Sequence, residues 1–168
     1  QETMKIIAAG NIFTGTFERD GMGGILTLGR NFECRPNKLK GYYKYTSAKV
    51  SVSKGHLNEG EDDLCSLYIA LTDEQITVNT NKGIYFDPNS SAVIAYGSIS
   101  DEESKGADSF KEFTVDLEYK DLKRIPKYII VVASSSKYGD YMEGGKGSTM
   151  WLDDLELVYP KSMEEVRK

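Results

Sequence analysis

Two pairs of carboxylates are the residues of this chain whose types and spacing could do chemistry. Asp116 and Glu118 lie two apart in the alternating run 110–120, so on a single strand their side chains share a face about 7 Å apart. Glycoside hydrolysis needs two carboxyl groups separated by about 5 to 9.5 Å, which that spacing satisfies. Asp153 and Asp154 are adjacent, in a run where Met150 and Leu152 keep one parity and Leu155, Leu157 and Tyr159 keep the other. If all five face a core, an extra residue sits at Asp153 or Asp154, which predicts a β-bulge. A bulge turns carboxylates and carbonyls out of the ladder, and calcium is bound by six to eight such oxygens. Glu18 joins the set if the first and last strands are neighbours. The plain alternative to catalysis is a solvated strand face, and the alternative to calcium is that one Asp of the pair caps the bulge while the other is solvated.

The other catalytic residue types offer little. The sole histidine, His56, lies in the polar acidic loop 54–63 with no nucleophile motif beside it, and reads as a solvated loop residue. One His and two well-separated Cys make no zinc set. Cys34 and Cys65 fall in alternating runs and read as buried free thiols, because 168 residues bury enough surface to stand without a disulfide.

Aromatic residues carry the stronger signal, with 11 Tyr and a single Trp. A Tyr ring pairs a flat apolar face with a polar edge, which suits the mixed CH and OH surface of a sugar. Trp151 has the parity opposite Met150 and Leu152, hence outward. Tyr138 and Tyr141 sit in SSSKYGDYMEGGKGS among small residues that leave room for a ligand. Tyr43 and Tyr45 share one face of a strand, and Tyr68 points away from the expected core. These six, Tyr43, Tyr45, Tyr68, Tyr138, Tyr141 and Trp151, are the candidate ligand-binding set.

Short strands would position them. Alternation marks strands in 11–18, 25–32, 41–53, 64–72, 92–99 and 110–120, and 129–133 is a continuous apolar, β-branched run expected near the centre of a sheet. Residues 73–91 read as irregular and 100–109 as a charged loop. Helix-forming composition is confined to the tail, 161–168, which is too short to hold alone. The expected fold is an all-β antiparallel sandwich of jelly-roll type over 1–160, followed by a polar tail over 161–168.

A formal charge of −5 argues against nucleic acid, which is held by clustered Lys and Arg. No run of eighteen apolar residues is present to insert into a membrane. The opening QETMKIIAAGNIF lacks the basic and apolar regions of a signal peptide, so either a signal has been removed or a longer chain precedes it.

The segments GNIFTGTFE, NKLKGYYKY and IPKYIIVVASSSKYGDYMEGGKGSTMWLDDLELVY together resemble the putative carbohydrate metabolism domain of gut Bacteroidetes. That resemblance implies a sandwich similar to carbohydrate-binding modules, set at the C-terminal end of exported or surface-anchored proteins alongside other domains. It places the protein at the cell surface, outside the cell or in the periplasm. WLDDLELVY also looks like the last strand of such modules, where an Asp helps hold a structural calcium beside the first strand; Asp153 or Asp154 and Glu18 match. The favoured function is non-catalytic binding of a poly- or oligosaccharide by aromatic stacking. A hydrolase using the paired carboxylates and a surface interaction module without a sugar ligand are the alternatives.

Overall fold

Glycines break the alternation of the first thirty residues at two points, and at both the chain changes sheets. In the computed structural model, which describes residues 5–162, β1 (Asn11–Phe13) pairs antiparallel with β11 (Tyr128–Ser134). The chain then leaves that edge as the hairpin β2 (Gly15–Asp20) and β3 (Gly23–Leu28), and returns to it as β4 (Arg30–Asn31). Gly29 forms the returning corner at φ +114°, with space for a Cβ only 3.0 Å from that of Tyr128, so a side chain there is strained twice over. Thr14 stitches the corner: its hydroxyl donates to the Ile129 carbonyl at 3.0 Å and accepts from the Val131 N–H at 2.9 Å. The expected single strand 11–18 is therefore two strands in two sheets.

Three sheets result. β1 and β4 share one edge of β11, and the order continues through β6 (Ser66–Thr72), β8 (Val93–Ser98) and β10 (Glu118–Tyr119). A second sheet has the order β12 (Thr149–Val158), β5 (Lys38–Thr46), β9 (Ala107–Asp116), and the third is β2, β3 and β7 (Ile76–Asn79). The parity of β6 shows how they stack. Leu67, Ile69 and Leu71 pack with Leu39, Tyr43, Phe113 and Val115 of the second sheet. Tyr68 and Ala70 face the other way, onto Leu28 and Val78 of the third. The fold is the expected antiparallel β-sandwich with a small third layer laid over its far side. β6 is thus covered on both faces, where alternation alone had promised one. Each large apolar side chain so buried contributes roughly 1.5–3 kcal/mol.

Other departures have local causes. The charged loop 100–109 contains one helical turn, α1 (Asp101–Ser104), held by a capping box in which Ser100 and Glu103 each accept the other's backbone N–H. Irregular 73–91 contains β7, and the run 110–120 is split at Leu117, where the chain crosses from the second sheet to the central one. Asp116 and Glu118 therefore lie on strands of different sheets, and Asp116 is ion-paired with Lys38. The shared carboxylate face expected for a hydrolase does not form. The bulge on β12 does: pairing to β5 shifts register between Asp153 and Glu156, and Asp154 adopts φ +51°. Both cysteines are free; Cys65 is buried, with its thiol pushed up to about 12 chiefly by burial, whereas Cys34 is exposed rather than buried. Most of the expected helical tail, 163–168, lies outside the described residues.

Candidate functional site: an aromatic cleft

A cleft of about 310 Å3 opens at the end of β6 and β8, beside α1. β6 supplies Tyr68 and β8 supplies Tyr96; both point to the third-layer side by the alternation of their strands, and Phe86 packs between them. The Tyr68 and Phe86 rings stack at 4.8 Å, with Tyr96 5.9 Å from Tyr68. Tyr85 stacks on Tyr141 at 4.2 Å and 25°, and both rings line the same cleft. Asp101 of α1 and Lys137 contribute an ion pair at 3.2 Å. Asp140 completes the lining. More than a third of its surface remains open to solvent and it borders three cavities, while the protein atoms that partly desolvate its carboxyl raise its pKa.

The wall carrying Lys137, Asp140 and Tyr141 is a glycine- and serine-rich loop pinned by two buried carboxylates. Asp63 is 1% exposed. It accepts from the Ser136 hydroxyl at 2.6 Å, the Ser148 hydroxyl at 2.8 Å and the Gly145 N–H at 2.8 Å, and from the Leu64 N–H at 2.8 Å. Gly145 fits because a Cβ would lie 2.8 Å from the carbonyl oxygens of Ala48 and Lys49. Glu143 is fully buried. It accepts from the Leu57 N–H at 2.6 Å, the His56 N–H at 3.2 Å and His56 Nδ1–H at 2.9 Å. Burial works against its charge, but the donors of Leu57, His56 and Lys54 prevail and hold its pKa below the ordinary carboxylate range. His56 is accordingly no free loop residue. Its ring stacks on Tyr138 at 4.3 Å and meets Tyr141 at 4.4 Å, giving a column of Tyr138, His56, Tyr141 and Tyr85 that ends in the cleft.

The six aromatic candidates do not share one surface. Tyr68 and Tyr141 line the cleft, and Tyr138 backs it through His56. Tyr43 and Tyr45 are 1% and 2% exposed, within the main core, and offer no face to a ligand. Instead they position the cleft walls. The Tyr43 hydroxyl donates to the Glu103 carbonyl of α1 at 3.0 Å, and the Tyr45 hydroxyl donates to the Ser135 carbonyl, where the loop begins, at 3.0 Å. Trp151 points outward as expected, but on the outer face of β12, with Lys44 Nζ 4.9 Å over its ring. Glu18 is on β2 in the third layer, and the Asp153–Asp154 bulge is in the second sheet on the opposite side of the central one. Among the described residues no three His, Cys, Asp or Glu gather as a metal site, and Glu18 does not join the Asp pair. Sequence reading missed Tyr85, Phe86 and Tyr96. The alternation of 92–99 placed Tyr96, but nothing in 73–91 signalled which face Tyr85 and Phe86 would take.

Fold and site together define an all-β sandwich bearing an aromatic cleft with a carboxylate in its wall. Residues 1–158 match the family described as "Putative carbohydrate metabolism domain", and the chain belongs to that family. It is similar to two solved structures, each described as a putative glycoside hydrolase. The one from Bacteroides thetaiotaomicron is 26% identical with a TM-score of 0.69 over 92% of this chain. The one from Bacteroides vulgatus is 26% identical with a TM-score of 0.68 over 90%. The chain spans 48% and 64% of their respective lengths. No curated protein matches it. Among the described residues no helix is long and apolar enough to cross a membrane.

Proposed function

We propose that the cleft binds a poly- or oligosaccharide and that the chain is the sugar-binding part of a longer, exported carbohydrate-processing protein. The observation that carries this reading is the Tyr85–Tyr141 pair, two stacked rings that line one cleft together with Tyr68, Phe86 and Tyr96, among hydroxyl, ammonium and carboxylate groups. Sugars present CH patches for the rings and hydroxyls for the polar groups. A single shallow site of this kind gives a dissociation constant on the order of μM to mM, and the family's link to carbohydrate supplies the ligand class. Affinity electrophoresis on a panel of plant, host and bacterial glycans tests it. Wild-type protein is expected to be retarded on at least one glycan, Tyr141→Ala and Tyr85→Ala to run freely, and Trp151→Ala to behave as wild type. Equal retardation of all three variants would remove the cleft as the site.

A hydrolytic reading draws on Asp140, a carboxyl of raised pKa in a cleft wall, which is the property of a general acid. Its test is sugar release from the glycan that binds, with Asp140→Asn as control. A general acid works only while protonated, so the rate would fall as pH rises through the Asp140 pKa.

A further inference from the structure

A smaller cavity of about 70 Å3 opens off the cleft. Ser66, Tyr68, Lys137 and Asp140 line both, so the two meet at these residues. Beyond the shared residues, Leu28 and Val78, each 2% exposed, form an apolar wall in the layer between the central and third sheets, and Asn11, Ser134 and Ser136 supply polar lining. It is far smaller than the cleft of about 310 Å3, room for a substituent of a sugar bound there. The wall formed by Leu28 and Val78 suits a methyl group. Asp140 receives no hydrogen bond from any described residue, so its carboxylate, open to solvent, can accept from a ligand without losing an internal partner. Lys137 retains N–H groups beyond the one given to Asp101.

We propose that this side pocket takes the 2-acetamido group of an N-acetylhexosamine, which makes N-acetylated glycans the ligand class of the cleft. The acetamido N–H donates to Asp140, its carbonyl accepts from Lys137, and its methyl enters between Leu28 and Val78. A hydroxymethyl group has no methyl for the Leu28–Val78 wall, and a 6-deoxy methyl would leave Asp140 without a donor. An O-acetyl ester lacks the N–H. The inference rests on the cleft being a glycan site.

Isothermal titration with chitotriose and cellotriose isolates the group, because the two trisaccharides differ only in acetamido against hydroxyl at each C2. Chitotriose is expected to bind at least about tenfold more tightly, the worth of roughly one net hydrogen bond. Asp140→Ala, which removes the acceptor, and Ser66→Val, which narrows the mouth, are expected to erase that preference while keeping the wild-type melting temperature. Equal affinity for the two sugars, or a preference unchanged in both variants, overturns the side pocket and leaves the cleft reading standing. Binding of other glycans but of neither trisaccharide does the same. Failure of every glycan to bind overturns both.

Discussion

Glu143 and Asp63 show how a loop whose composition reads as open and ligand-seeking can be held by its own interior. Each carboxylate is desolvated and satisfied by donors from segments far away in sequence: residues 56–57 reach Glu143, and residues 136–148 reach Asp63. Removing such an acceptor leaves several buried donors unpaired, at about 1–3 kcal/mol apiece. Asp63→Ala is expected to cost about 3 kcal/mol or more by urea titration. The isosteric Asp63→Asn should cost less but not nothing, since its amide must turn a donor toward a donor. The lowered pKa of Glu143 gives a pH dependence of definite sign. Its contribution is present above the ordinary carboxylate pKa and is lost as pH falls through its folded value. The melting temperature of the wild type should therefore drop as pH falls below the ordinary carboxylate pKa, and Glu143→Gln should flatten that drop while starting lower at neutral pH. Tyr43→Phe and Tyr45→Phe belong here too. Each should cost about 1 kcal/mol and weaken cleft binding without touching a ligand, because the lost hydroxyl anchors a wall. The sequence marked these two tyrosines but not their direction, since parity along 41–53 says which residues share a face and not which face is inside.

Whole elements were more legible than single rings where period and punctuation agreed. The bulge on β12 follows from the phase change of its apolar residues, and Leu152 and Leu157 do lie opposite the buried Tyr43 and Leu39 on either side of it. Asp154, at φ +51°, takes the left-handed conformation that the bulge demands. Asp154→Gly is accordingly expected to change stability by less than about 1 kcal/mol, whereas Asp154→Val should cost about 1–3 kcal/mol in chemical denaturation. β7 escaped because its four residues, ITVN, are too few to show a period, and its pairing to β3 is a tertiary fact. α1 carried a readable signal in Ser100 and Glu103, a capping box buried in what composition presents as a charged loop. The split at Leu117 had no signal: Phe113, Val115 and Leu117 all face the main core, so the alternation runs unbroken across a change of sheet.

At the scale of the molecule, sandwich architecture was legible because nearly every segment alternates, while the third layer was not, because a strand covered on both faces keeps its alternation when its outer residues are small or aromatic. Tyr68 and Ala70 on β6 are the case in point. β6 and β11 contribute side chains to both cores, so the layers are mechanically one body. Leu28→Ala, in the outer layer, is expected to destabilise by about 2–5 kcal/mol, and calorimetry should still show one transition rather than an early loss of that layer. Trp151 has a practical corollary. As the lone indole of the chain, lying beneath an ammonium group on the exterior of β12, it makes ultraviolet emission a beacon for that side only. Light excited at the red edge will follow the melting of β5 and β12 and stay dark to events among the tyrosines across the molecule, whose own shorter-wavelength glow is the channel in which occupancy of the cleft can be watched.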